Sequence, residues 1–197
     1  MAKVKLTKNE LKKQRDQLKR FQRYLPTLIL KKQQLQMVLR QIEAAIAEQK
    51  AKRDRYKDDI GGWVGVFAED IDVTTLVALK SVDTEVGNIA GIDIPVYKAA
   101  HFEEKRWDLF RLPLWVDQAI VSMKELIALD IEVEVLQKQH DLVSDELRVT
   151  TQRVNLFEKV KIPETKENIR NIRIYLGDQQ TAAVVRGKIA KSNLVEV

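Results

Sequence analysis

Apolar residues recur along the first 60 positions with a period of 3.5. Setting position a at residues 4, 11, 18 and onward and position d at 7, 14, 21 and onward, apolar side chains fill 12 of 17 places. They are Val4, Leu11, Leu18, Phe21, Leu25, Leu28, Leu35, Leu39, Ile42, Ile46, Tyr56 and Ile60. A repeat held over eight heptads predicts a coiled-coil helix. Thr7, Gln14, Lys32, Gln49 and Arg53 are the polar exceptions, expected to weaken packing locally or to fix register. Thr7 followed by Glu10 reads as a capping box that starts the helix. Pro26 sits inside the pattern. It removes one backbone hydrogen bond and crowds the preceding turn, so a kink is expected there rather than a break.

A second stripe follows Pro113. Over positions 119, 122, 126, 129 and onward to 161, nine of 13 places are apolar: Ala119, Leu126, Leu129, Val133, Leu136, Val143, Leu147, Val154 and Phe157. His140 falls on this seam. Beyond Ile162-Pro163 the phase moves by one residue, and Ile169, Ile172, Leu176, Ala183 and Ala190 carry the stripe onward. Pro163 is expected to mark a bend or short interruption, with the helix resuming at its first turn.

Residues 61–113 differ in character, holding five of the seven glycines and two of the four prolines. Val82 to Ile89 and Ile92 to Tyr97 read as short strands about Ala90-Gly91, a β-hairpin. Pro95 restricts the second run to an edge strand. Val66 to Ile71 is read as a short helix. The organisation expected is therefore an N-terminal coiled-coil helix over 1–60, a central insert with a short β-hairpin over 61–113, and a C-terminal coiled-coil helix and tail over 114–197. Two long helices joined through a small insert bury their stripes by folding back on each other, because neither is stable alone in water. The fold class is mainly α: a long antiparallel two-helix coiled coil.

Composition agrees with long helices. The chain has 197 residues, 32% of them charged, with few turn-forming glycines and prolines. It carries no Cys and two His, His101 and His140. That excludes disulfides and thiolate metal sites and leaves little for a histidine cluster. The basic N-terminus lacks the apolar run of a signal peptide, and no 18-residue apolar stretch occurs. A soluble, cytoplasmic protein is expected, peripheral to a membrane only through partners.

Charge changes the picture further. Residues 1–55 hold 16 Lys+Arg against 5 Asp+Glu, giving +11, whereas residues 58–93 hold 8 acidic residues and one Lys, giving −7. Antiparallel pairing would set Lys12, Lys13, Arg15 and Lys19 near Arg186, Lys188 and Lys191, making one end of the helix pair strongly positive. A basic surface alone is compatible with a free-standing coiled-coil scaffold or an RNA-binding arm. No aromatic-interleaved basic surface or known nucleic-acid reading motif accompanies it, so direct nucleic-acid binding is not expected.

Chemistry is sparse. Gly61-Gly62-Trp63-Val64-Gly65 lacks the Gly-Lys-Ser/Thr of a phosphate loop and reads as a helix C-terminus and turn. His140 with Asp141 reads as a hydrogen-bonded seam histidine. Glu69, Asp70 and Asp72, like Glu132 and Glu134, read as solvated acidic positions. No nucleophile-base pair can be drawn, so no catalytic site, metal or cofactor is expected. Trp63, Phe67, Phe102, Trp107, Phe110 and Trp115 gather around the insert. They either pack the hairpin on the coil or form a partner-docking patch.

Three segments carry a family resemblance: LTKNELKKQRDQLKRFQRYLPTLILKKQQLQ, the central NIAGIDIP at Asn88 to Pro95, and QRVNLFEKVKIPETKENIRNIRIYLGDQQTAAVVRGKIAK. In this order they resemble the D subunits of V/A-type rotary ATPases, the family of central-stalk shafts. Arg153-Val154-Asn155, Glu158, Ile162-Pro163, Ile169, Ile172 and Leu176 are the most specific part; Pro26 departs from the family's pattern. The resemblance implies a non-catalytic rotor in an ATP-synthesising or hydrolysing, ion-transporting complex. Its implied partners are the catalytic and regulatory ring subunits (A and B), the small stalk subunit (F), and the funnel-shaped subunit (C/d) that links to the membrane ring. Lys12, Lys13, Arg15, Lys19, Arg186, Lys188 and Lys191 become the candidate ring-facing end. The hairpin, through Val86, Ile89, Gly91, Ile92, Ile94 and Val96, becomes a candidate partner contact.

Paired helices of this length predict an elongated particle. A compact 197-residue domain has a radius of gyration of about 16 Å, and a helix pair this long should exceed roughly 25 Å. Small-angle scattering from the isolated monomer tests this, and a value close to the compact one would rule the architecture out.

Overall fold

A computed structural model of the chain describes residues 4–62, 76–104, 113 and 115–195. Helix α1 (Lys8–Gly61) leads to strands β1 (Val77–Ile89) and β2 (Ile92–Glu104). Helix α2 (Trp115–Asn155), a π-helical turn (Leu156–Lys161) and helix α3 (Ile162–Val195) complete it. The protein is mainly helical with one central antiparallel hairpin, as the periodicities predict. The short helix expected over Val66 to Ile71, and Trp63, Phe67, Trp107 and Phe110 of the aromatic group, lie outside the described residues. The chain divides into two compact units, residues 33–148 and residues 1–32 with 149–197.

In the unit of residues 33–148, α1 and α2 run antiparallel. Glu43 meets His140, Gln49 meets Glu132 and Arg53 meets Asp130, so the partner number falls as the α1 number rises. Leu35 and Val143 are both 0% exposed and Ile42 and Val133 are buried. Leu39, Ile46, Leu126, Leu129, Leu136 and Leu147 are half-buried. This graded burial is what a heptad stripe produces when only one neighbouring helix covers it.

The hairpin is longer than its alternation suggested, starting at Val77 instead of Val82 and ending at Glu104 instead of Tyr97. Two register shifts account for this, one between Leu79 and Ser81 and one between Asp83 and Thr84. They leave Lys80 and Lys98 without an opposite residue, and a bulge of this kind breaks the period-2 signal while the ladder continues. The tip is a two-residue turn with φ of 53° at Ala90 and 80° at Gly91. Both values fall in the left-handed region that a type I′ hairpin turn needs.

In the unit of residues 1–32 with 149–197, α1 starts with the Thr7 cap of the expected capping box, while the Glu10 carboxylate turns to Gln14. Thr7 Oγ1 accepts from the Glu10 N–H at 3.3 Å, and the Thr7 carbonyl accepts from the Leu11 N–H at 3.0 Å. Buried Gln14 is satisfied by Glu10 at 2.8 Å. Leu11, Leu18, Leu25 and Leu28 are half-buried, and α1 continues through Pro26, whose ring is exposed. Thr150, Val154, Thr165, Ile169 and Ile172 are buried on the other strand of the pair, and Phe21 packs on Phe157 with ring centroids 5.2 Å apart. From Gly177 to Asn193 every residue except Ala182 is exposed, so Ala183 and Ala190 lack the cover expected of a continuing stripe.

Burial of Leu35 beside exposed Gln36 makes a direct test. Leu35→Asp should cost roughly 3 kcal/mol or more, because a buried carboxylate without a partner loses its hydration. Gln36→Asp should stay within about 0.5 kcal/mol. Urea denaturation of both variants measures the difference, and equal losses would put the heptad phase in error.

Candidate functional site: the helix pair and its seated hairpin

The hairpin lies along the helices of its own unit instead of projecting from them. At its base, Val77 joins a core with Val116, Ala119 and Ile120, against which Leu76, Phe102, Trp115 and Met123 pack. At its tip, Ile94 is 3% exposed and shares a core with Leu35, Ile42 and Val143, flanked by Ile89 and Ile92. Between these anchors, Gln139 on α2 donates its side-chain N–H to the carbonyl of Pro95. Strand β2 therefore descends in number as α2 ascends, and β1 ascends with it. The ten steps along β2 from Phe102 to Ile92 span roughly 33 Å, a distance comparable to the α2 segment they follow.

This seating sorts the candidate contact residues. Ile94 is buried inside the chain, Ile89 and Ile92 are half-buried against the helices, and Val86, Gly91 and Val96 are exposed. Val86, at 74% exposed, is the most solvent-facing of the large apolar side chains in the described residues. Pairing of Gly87 with Ile94 and of Glu85 with Val96 puts these four on one face of the hairpin. The pairing of Val86 with Pro95 then lies on the other. Gly87 is needed because a Cβ there would sit 2.9 Å from Cγ2 of Val96.

Local polar bonds hold the turn. Asn88 Oδ1 accepts from the Gly91 N–H at 3.1 Å, and Asn88 Nδ2 donates to Asp93 Oδ1 at 2.7 Å. Farther from the tip, Glu85 pairs with Lys98 and Asp83 with His101, each at 2.8 Å. All four side chains are largely exposed, so these pairs add little to stability.

Below the apolar part of the seam, the α1–α2 interface turns polar. Gln49 Nε2 donates to Glu132 at 2.9 Å, while Gln49 Oε1 is buried without a hydrogen-bond partner. Arg53 reaches both Asp54 at 2.8 Å and Asp130 at 3.4 Å. The hydrogen bond to Asp54 is the main reason the Arg53 guanidinium is held above its ordinary range, with burial opposing and Asp130 adding. Burial pushes the Tyr56 phenol up, helped by Glu125 and opposed by Ser122. On the outer face, a hydrogen bond and the charge of Lys52 hold the Glu48 carboxyl below its usual value. All three shifts move titration away from neutral pH.

Lys12, Lys13, Arg15 and Lys19 are exposed on α1, and Arg186, Lys188 and Lys191 are exposed on α3, both within the same unit. A shallow groove on α1 is lined by Asn9, Lys12, Lys13, Asp16, Gln17 and Arg20. Beside the basic α3 residues stand exposed Val184, Val185 and Ile189. Among the described residues, no group of three or more His, Asp or Glu side chains is arranged to hold a metal ion. Nor is any described helix long and apolar enough to cross a membrane.

Sequence reading missed two features of this site. The burial of Ile94 had a signal, since Ile92 and Ile94 alternate with Asp93 and Pro95, but that pattern does not say which surface receives them. The bond from Gln139 to the Pro95 carbonyl had none, since a seam-flanking Gln is unremarkable in a coiled coil.

Comparison with known proteins bears on the whole chain. A family model described as the ATP synthase D subunit matches residues 10–192. The V-type ATP synthase D subunit of Borreliella burgdorferi is 50% identical over 196 residues, covering 100% of this chain and 97% of that one. The protein of the same name in Chlamydia muridarum is 33% identical over 196 residues, covering 98% of this chain and 97% of its own.

The seating of the hairpin predicts that its two sides respond differently to truncation. Ile94→Ala should destabilise the chain by about 2–5 kcal/mol, the range for emptying a packed core site. Val86→Ala should change stability by less than about 0.5 kcal/mol. Chemical denaturation of the two variants checks this, and a mild Ile94→Ala would mean the tip is not docked in solution.

Proposed function

The chain belongs to the family of ATP synthase D subunits, and from that premise we propose that it is the central-stalk rotor shaft of a V/A-type ATPase or ATP synthase. In this reading it has no active site of its own. It transmits torque between ATP turnover in the ring of catalytic and regulatory subunits and ion translocation in the membrane ring. The observation that carries the proposal is relatedness, at 50% identity, to a V-type ATP synthase D subunit. That relatedness runs nearly end to end on both chains.

The geometry supports the same role. Antiparallel helices with heptad burial resist twisting and bending because each turn of one is keyed into the other. The uncovered stretch of α3 beyond Leu176 presents Val184, Val185 and Ile189 together with Arg186, Lys188 and Lys191. Apolar side chains left bare on a single helix favour a surrounding sleeve, and the ring subunits supply one in this reading. Lys12, Lys13, Arg15 and Lys19 form the rest of that ring-facing end. The outward side of the hairpin, led by Val86, is the contact offered to the small stalk subunit, and the funnel-shaped subunit receives the foot. Association with the membrane then runs through these partners alone.

Reconstitution tests the proposal. The purified chain should hydrolyse no ATP. Mixed with the catalytic and regulatory ring subunits and the small stalk subunit, it should enter a stable complex whose ATP turnover drives its rotation. Val86→Asp should leave shaft folding and assembly intact while changing turnover. Hydrolysis by the chain alone, or failure to assemble with the ring, would overturn the shaft reading. Unchanged turnover in the Val86→Asp complex would reject only the hairpin's part in it.

A further inference from the structure

From Phe157 to Ile162 the seam steps by five residues, whereas on either side it steps by three and four. Upstream the stripe runs through Thr150, Val154 and Phe157; downstream it runs through Ile162, Thr165, Ile169, Ile172 and Leu176. Each of these residues is buried or half-buried. In an α-helix a residue advances the chain by about 100°, so one extra residue would swing everything beyond it about 100° off the stripe. The π-helical turn Leu156–Lys161 sits in this gap, and the Ile162 N–H bonds to the Phe157 carbonyl across the five-residue step itself. At roughly 4.4 residues per turn, five residues of π-helix return to nearly the direction that four reach in an α-helix.

The surroundings hold the turn in place. Pro163 has no N–H for the Lys159 carbonyl and would crowd it in a regular α-helix, a conflict that a wider turn relieves. Phe157 is packed on Phe21 at one side, and the Thr165 hydroxyl bonds to the Lys161 carbonyl at the other. The residues that swell the turn, Glu158, Lys159 and Val160, are all exposed.

We infer that Leu156–Lys161 is a phase joint, which stores one residue of helix so that the stripes before and after it face the same side. The one-residue slip in the sequence pattern and the i→i+5 bonding in the structure are the same event. The joint is therefore the place where this strand of the pair can take up or release one residue while Ile169, Ile172 and Leu176 stay in register. A gain or loss of one residue elsewhere in α3 has no such outlet.

The absence of cysteine in the chain makes the phase readable with a single reporter thiol, introduced by Ile172→Cys at a position that is 0% exposed. In the full-length reporter chain, deletion of Val160 together with Pro163→Ala should turn the joint into continuous α-helix. The reporter thiol should then react with a maleimide within about three-fold of the undeleted rate, and the melting temperature should stay within roughly 3 °C. Deletion of exposed Glu167, of equal length but outside the joint, should speed labelling about ten-fold or more and lower melting by roughly 5 °C or more. Pro163→Ala alone should keep the thiol protected, because phase and not proline requires the wide turn. Rapid labelling or loss of folding in the Val160 deletion would overturn the inference. So would equal protection in the Glu167 deletion, or exposure of the thiol on Pro163→Ala alone.

Discussion

An apolar stripe on a helix in water must be covered, and in this chain each long helix has little but the other to cover it. That single requirement orders most of the fold. Leu35, Ile42, Val133 and Val143 are buried because they lie where the two stripes meet. Glu43, Gln49 and Arg53 find His140, Glu132 and Asp130 because antiparallel pairing runs the two numberings in opposite directions. The same requirement tolerates polar seam residues only at a cost. Gln49 buries one oxygen without a partner, and a side chain in that state disfavours every register but the one in which its amide N–H is satisfied.

A pair of helices covers its seam on two sides and leaves the flanks open, and the hairpin closes one flank. Its tip supplies Ile94 to the core that holds Leu35 and Val143, and its base supplies Val77 to the core at the start of α2. The insert is thus a third packing element and not an appendage. This division gives the hairpin two unlike faces. One is committed to the chain's own stability; the other, led by Val86, is free to meet something else.

How much of this was legible in the sequence depended on whether the signal was periodic. Sixteen of the seventeen predicted seam places from Val4 to Ile60 are buried or half-buried, Thr7 being the exposed one, since a heptad states its own phase. The Ala90-Gly91 turn was legible because a short glycine-containing break between two strand-like runs has few other readings. The strand ends were not, because Lys80 and Lys98 interrupt the alternation that would have revealed them. The slip of phase near Pro163 is visible as a pattern, yet the pattern suggests an interruption where the helix instead widens. Periodicity records that a residue has been added and cannot distinguish a break from a wider turn. The docking of Ile94 and the bond from Gln139 to Pro95 depend on which surfaces meet in three dimensions.

The proposed role in transmission would also account for a candidate site spread over the helix pair and its hairpin. In a shaft, shape is the functional quantity. What the surrounding subunits would sense is which face is presented at a given angle, and that is set by heptad phase, by hairpin seating and by the extra residue stored before Pro163. A change of one residue in the seam would then matter more than the loss of any one polar group on the surface. Function in such a chain is written in spacing, the property that periodicity reads most directly.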